Sequence, residues 1–128
     1  MHTEGPVGHA ALLDALNDRT QALVDALAAH DSCARPRREL LEFLRDKLIP
    51  HIDFEADTLY RRDDQSIGLL VQALEVQHYV INLLIDEIAA SDDCMNIAVS
   101  ASSLVAMCTA RIQQEDHILL PALHRKAA

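Results

Sequence analysis

Four stretches of this 128-residue sequence repeat apolar residues every three or four positions, and that period restricts the fold more than any other feature. They lie at about residues 7–30, 40–60, 65–90 and 93–120. Residues three or four apart share one face of a helix, so each stretch predicts an amphipathic helix of roughly five to seven turns. The low counts of 3 Gly and 4 Pro, with only 3% aromatic residues, also favour helices over a turn-rich sheet.

Three short clusters separate these stretches: DSCARP (31–36), YRRDDQS (60–66) and ASDDCMN (90–96). Each cluster combines Asp or Ser, which cap helices, with breakers or charges. Short connections between helices of similar length make antiparallel neighbours. The sequence therefore predicts an all-α fold, an antiparallel up-down-up-down four-helix bundle that takes up residues 1–128 as a single domain.

Charge and composition exclude several classes of partner. The formal net charge is -9 and no basic patch is evident, so we expect no nucleic acid partner. The longest uncharged run, residues 94–110, is too short and too polar for a membrane span, so we expect no membrane partner. The start of the chain does not read as a signal peptide, and three cysteines without CxxC spacing suit reduced thiols, so we expect a cytoplasmic protein.

Polar residues interrupt all four apolar stripes. The second stripe reads Leu40, Leu44, Leu48, His51, Glu55, Leu59, and the fourth reads Ala101, Leu104, Cys108, Arg111, Glu115, Ile118. The first stripe contains His9 and the third contains His78. Taken singly, such a histidine is more often a hydrogen-bonded core residue than a ligand, and Cys108 is more simply core packing.

Taken together, these residues favour a metal site. An unpaired buried carboxylate or imidazolium costs several kcal/mol. In an antiparallel bundle the ends of the second and fourth helices lie beside the starts of the first and third, so the polar groups gather toward one end of the core. A cation there would neutralise the carboxylates and accept imidazole lone pairs, and this ligand set suits iron, zinc or manganese, with iron favoured where positions stay open.

The segments HIDFEADTLY, IQQEDHILLPAL, LEVQHYVINLL and GHAALLDAL occur in an order and spacing that resembles the hemerythrin-like, or HHE cation-binding, domain. The resemblance implies a four-helix bundle with two non-haem irons bridged by carboxylates. It implies that the bound partner is dioxygen, nitric oxide or peroxide, or that the protein senses iron or oxygen. By the same resemblance His9 and His51 match ligands of one iron, Glu55 and Glu115 match the bridging carboxylates, and His78 matches a ligand of the second iron.

The sequence departs from the family pattern at two positions of the second iron. Arg111 stands where the family has a histidine, and Asn82 stands where oxygen-carrying members have another histidine. Arginine offers only donors, so Arg111 cannot ligate a metal, although it can pair with the carboxylate one turn away. Either Arg111 swings outward and a solvent molecule completes a weakened second iron, or Arg111 occupies that position as a built-in cation. We therefore expect cofactor iron held mainly by His9, His51, Glu55 and Glu115, with Arg111 and Asn82 beside a second position that is impaired or empty.

Two other functions stay open from the sequence. Pairs of Arg111 with Glu115 and Glu55 could replace the metal, which would leave a structural or partner-binding bundle. The histidines could instead be axial ligands of a haem, although two adjacent carboxylates leave little room for one. Apolar residues off the inner stripes, such as Ile67, Val71 and Val105, also make a homodimer face an expectation.

Overall fold

The computed structural model describes residues 6–58 and 68–121, and over these residues the chain forms four helices and no strand. The first helix is Pro6–Ala28 and the third is Gly68–Ala90. The second helix runs through Ala34–Phe43, a π-helical turn at Leu44–Leu48, and Ile49–Thr58. The fourth helix, Cys94–Gln114, continues into a π-helical turn at Glu115–Leu119.

The helices pack as a bundle in which each contacts its neighbours in sequence. The first helix packs against the second and the fourth, and the third packs against the fourth and the second. The main core cluster takes aliphatic residues from all four helices, among them Leu16, Leu44, Ile81 and Leu104, each almost completely buried. This arrangement confirms the all-α four-helix fold.

The inner stripes of the sequence are confirmed in most positions and wrong in a few. Buried as expected are Leu40, Leu44, Leu48, Leu74, Ala101, Leu104 and Cys108. Ile118 is exposed, and Leu119 is buried in its place. The π-helical turn is the reason, because i→i+5 bonding widens the turn and moves the next inward position one residue along. Leu59 lies outside the described residues.

The expected dimer face is also partly wrong. Val71 is buried against Leu74 and Leu119 in a second small core cluster, and Ile67 lies outside the described residues. The large apolar residues that the third helix does expose are Leu69, Val76, Tyr79 and Leu83. The homodimer stays a prediction.

Within residues 6–58 and 68–121, two helices are long and apolar enough to cross a membrane by length and composition: Gly68–Ala90 and Cys94–Leu119. Core helices of soluble bundles meet the same criterion, and the fourth helix places the charged Arg111 and Glu115 inside the bundle core. The expectation of no membrane partner stays a prediction.

The first helix ends in a Schellman motif whose central residue is not glycine. The amide of Asp31 donates to the carbonyl of Ala26 at 2.9 Å, and the amide of His30 donates to that of Leu27 at 3.1 Å. His30 has a backbone φ of 58°, which is in the left-handed region where a Cβ atom is unfavourable.

Replacing His30 by glycine should therefore stabilise the protein. We expect His30→Gly to raise the free energy of unfolding by about 0.5–1 kcal/mol, because the left-handed strain is removed and only part of this gain is offset by unfolded-chain entropy. Urea unfolding of the metal-free protein measures the change. His30→Ala keeps the strain and is the matched control; equal stability of the two variants would contradict the account.

Candidate metal centre

The candidate site lies at the end of the core where the first helix begins and the second and fourth helices end. His9 is in the first turn of the first helix, whereas His51 and Glu55 lie one turn apart near the end of the second. His9 and Glu55 are buried at 2% and 5% exposure, and the His51 side chain is 11% exposed. The sequence expected all three on inner faces, and the structure brings them together.

The two imidazole rings of His9 and His51 converge on one carboxylate oxygen of Glu55. The Nε2 atoms of His9 and His51 each lie 3.0 Å from Oε2 of Glu55. The two imidazole rings meet edge to face, with centroids 5.2 Å apart. Among the described residues, these three form a group whose ligand atoms all lie within 4.8 Å of one another. Two imidazole nitrogens and a carboxylate oxygen at this separation fit a single divalent cation.

Glu115 and Arg111 from the fourth helix complete the buried cluster. Oε1 of Glu115 lies 3.7 Å from Nε2 of His9, just outside hydrogen-bond distance. Arg111 lies between the carboxylates, with Nη2 3.6 Å from Oε1 of Glu55 and Nε 3.5 Å from Oε2 of Glu115. Its Nη1 atom donates to the carbonyl of Leu74 on the third helix at 3.4 Å. The guanidinium thus places a fixed positive charge beside both carboxylates.

The pKa values of the cluster follow from these contacts. The hydrogen bond to Glu55 raises the pKa of His9 to about 9, although burial opposes this, and the charges of Glu55, Asp116 and Glu115 add to the rise. Burial alone would raise the pKa of Glu55, but hydrogen bonds from His51 and His9 hold it well below its usual range. Without a metal, His9 and Glu55 are therefore a buried ion pair at neutral pH.

Asp116 is a member of the site that the sequence reasoning missed. Its Oδ1 atom accepts a hydrogen bond from Nδ1 of His9 at 2.9 Å. This contact fixes the ring and directs Nε2 toward Glu55, as carboxylates commonly do for metal-binding histidines. The sequence shows a carboxylate directly beside Glu115, but it does not show that Asp116 contacts His9.

His78 and Asn82 are not brought into this group. His78 is half-buried, and its Nε2 atom lies 3.6 Å from Oδ1 of Asp53 on the second helix. Burial and the charge of Arg111 lower the pKa of His78, so its imidazole is mainly neutral at pH 7. Asn82 is on the exposed side of the third helix. The predicted second position therefore has Arg111 near it, but neither of the third-helix residues joins His9, His51 and Glu55.

A small cavity adjoins the cluster. It has a volume of about 10 Å³, and its lining includes Leu48, His51, Glu55, Cys108 and Arg111. That is room for about one water molecule. Burial raises the pKa of the Cys108 thiol to about 12, so it lines the cavity as a neutral, apolar group. A haem is far larger than this space, so the site geometry does not fit the haem alternative.

Comparison with known families agrees with this geometry. The model of the hemerythrin HHE cation-binding domain matches residues 7–123, which is most of the 128-residue chain and includes every member of the cluster. The chain belongs to the hemerythrin HHE family. No curated protein and no solved structure matches it significantly.

Membership in the hemerythrin HHE family supports the interpretation of the His9, His51 and Glu55 group as a metal-binding site. In this hemerythrin-like chain, however, Arg111 contacts both Glu55 and Glu115. A positive side chain at that place repels a second cation and occupies the carboxylate oxygens that would face it. The site residues therefore fit one metal ion better than two.

Proposed function

We propose that this protein binds one iron ion through His9, His51 and Glu55, with Glu115 alongside, and through it a diatomic gas or peroxide. The observation that carries the proposal is the convergence of two imidazole nitrogens on one buried carboxylate. Bound iron would supply an open coordination position and redox chemistry at the site. The adjoining cavity of about 10 Å³ favours a ligand no larger than a few atoms.

The protein's own residues prepare the site for the metal. Asp116 orients His9, and Glu55 supplies negative charge inside the core. A metal ligand must be a neutral imidazole, so binding displaces the proton that His9 holds in the metal-free protein. Arg111 offsets the charge of Glu115 and limits the site to one cation.

Metal analysis tests the proposal. Purified protein is loaded with ferrous iron under anaerobic conditions, desalted, and analysed for iron per chain. We expect about one iron ion for the wild type and a loss of at least 10-fold in iron affinity for His51→Ala, which removes a ligand. His117→Ala is the matched control, because His117 is an exposed histidine near the end of the fourth helix, and it should keep its iron.

Two results would contradict the proposal: two tightly bound irons per chain, or unchanged iron affinity in His51→Ala. Nitric oxide titrated into the iron-loaded protein tests the gas-binding half separately. We expect a saturable change in the visible spectrum at one equivalent. No spectral change with iron present would leave a metal protein that does not bind this gas.

A second candidate function rests on Arg111. The guanidinium lies within 3.6 Å of Glu55 and 3.5 Å of Glu115, so the core can be charge-compensated without metal. In that case the bundle is a structural or partner-binding module. Failure of the wild type to take up iron, zinc or manganese would favour this function over the first. The cytoplasmic location stays a prediction under both.

A further inference from the structure

Two of the three cysteines meet at the end of the bundle opposite the metal centre. Cys33 is the last residue of the connection between the first and second helices, and Cys94 is the first residue of the fourth helix. The thiol of Cys94 is hydrogen-bonded with that of Cys33. Both residues are partly exposed, so a small reagent in solution can reach them. The first helix from His9 to Ala28 alone separates them from the metal centre by roughly 28 Å.

The second helix is fixed against the end of the third helix. Arg37, in its first turn, donates from Nε to the carbonyl of Ile88 at 2.9 Å and also donates to the carbonyl of Ala89. These carbonyls are at the end of the third helix, a few residues before Cys94. The hydrogen bonds of Arg37 therefore hold the start of the second helix beside the end of the third helix, and this brings Cys33 and Cys94 close together.

Both connections also have local hydrogen bonds that order them. Asp93 caps the fourth helix by accepting from the amide of Met95 at 3.2 Å, and its own amide donates to the Ser91 hydroxyl at 3.1 Å. The first connection is ordered by the cap around His30. The Cys33 side chain makes no capping hydrogen bond to the second helix, although it occupies the capping position.

We propose that Cys33 and Cys94 form a reversible disulfide that joins the two connections. The oxidant is a small-molecule disulfide such as oxidised glutathione. One of the two cysteines, as its thiolate, attacks one glutathione sulfur and releases the first glutathione as a thiolate. The other cysteine then loses its proton and attacks the protein sulfur of this mixed disulfide, which forms the Cys33–Cys94 bond and releases the second glutathione as a thiolate. Two protein thiols are oxidised and one disulfide is reduced to two thiols.

The hydrogen bond with Cys33 raises the pKa of the Cys94 thiol to about 11, and burial and the charge of Asp93 act in the same direction. The product closes a loop of about 60 residues, which restricts the unfolded chain and stabilises the fold. Cys108 is buried at 2% exposure and should not react.

Intact-mass analysis and peptide mapping after incubation with oxidised glutathione test the proposal. We expect the wild type to lose two hydrogens, to yield one Cys33–Cys94 peptide pair, and to keep Cys108 as a thiol. The melting temperature of the metal-free protein should rise by at least about 5 °C on oxidation and return with dithiothreitol. The metal content should be the same in both forms, so this test is independent of the proposed iron site.

Single-serine variants supply the controls. Cys94→Ser should stop at a glutathione adduct on Cys33 and show no rise in melting temperature, whereas Cys108→Ser should behave as the wild type. If one of the two thiol variants does not fold, the mapping of the wild type still decides the result. Stable glutathione adducts on both cysteines, a disulfide between two chains, or no reaction after complete exposure to the oxidant would each overturn the proposal.

Discussion

Glu55→Gln is expected to destabilise the metal-free protein by about 3 kcal/mol at pH 7, because removing one partner of a buried ion pair leaves the other charge uncompensated. Glu55 accepts from His9 at 3.0 Å, and its carboxylate lies 3.0 Å from Nε2 of His51 and 3.6 Å from Nη2 of Arg111. The substituted amide keeps the shape but carries no charge. His9 can lose its proton in response, whereas Arg111 cannot, which sets the loss at the lower end of the range for such pairs. Urea unfolding measures it.

The pH dependence of the same two proteins gives a second test. The pKa of His9 is raised from 6.5 to about 9 in the folded state, so its contribution to stability is complete below pH 6.5 and is lost as the pH rises through 9. The wild type should therefore lose stability between pH 7 and 9.5, and Glu55→Gln should lose much less. Glu42→Gln is the matched control on the exposed side of the same helix, with an expected change within about 0.5 kcal/mol. Equal stability of Glu55→Gln and the wild type would contradict the buried ion pair.

Helical period alone was enough to predict the fold, because each of the four helices has an apolar stripe that needs the others for burial. It also identified His9, His51, Glu55 and Glu115, since a costly polar residue on an inner stripe is visible in the sequence. The same reasoning placed Arg111 on an inner stripe but left open whether it swings outward or stays inside as a cation, and the structure places it at 2% exposure. These are all positions where the phase of a regular helix decides which way a side chain faces.

The errors occur where the helix is not regular or where contacts join distant parts of the chain. Because of the π-helical turn at Glu115–Leu119, Leu119 is buried where the regular period predicted Ile118. The apolar period of the sequence does not reveal such a turn. Asp116 contacts His9, 107 residues away, and a one-dimensional pattern does not contain that pairing. Asn82 was placed beside the second position by the resemblance to the family pattern, and it lies on the exposed side of the third helix.

Arg111→His is expected to raise the metal content from about one ion per chain to two. The change removes the positive charge that lies beside Glu55 and Glu115, and it introduces an imidazole one turn before Glu115. A neutral imidazole adds a lone pair where the guanidinium offers only donors. His78 is the second new ligand that we expect to participate, because burial lowers its pKa and so favours the neutral imidazole that a metal needs.

Arg111→Leu separates the two effects of that substitution, since it removes the charge without supplying a ligand. We expect it to stay at about one metal ion and to destabilise the metal-free protein, because Glu55 and Glu115 lose their shared cation. Two ions in Arg111→Leu would mean that repulsion alone keeps the second position empty.

One ion in a folded Arg111→His would instead show that residue 111 does not face the second position, and the alignment of the fourth helix with the hemerythrin pattern would then be wrong at this turn. Iron bound per chain, measured after loading with iron in the absence of other transition metals, decides between these outcomes.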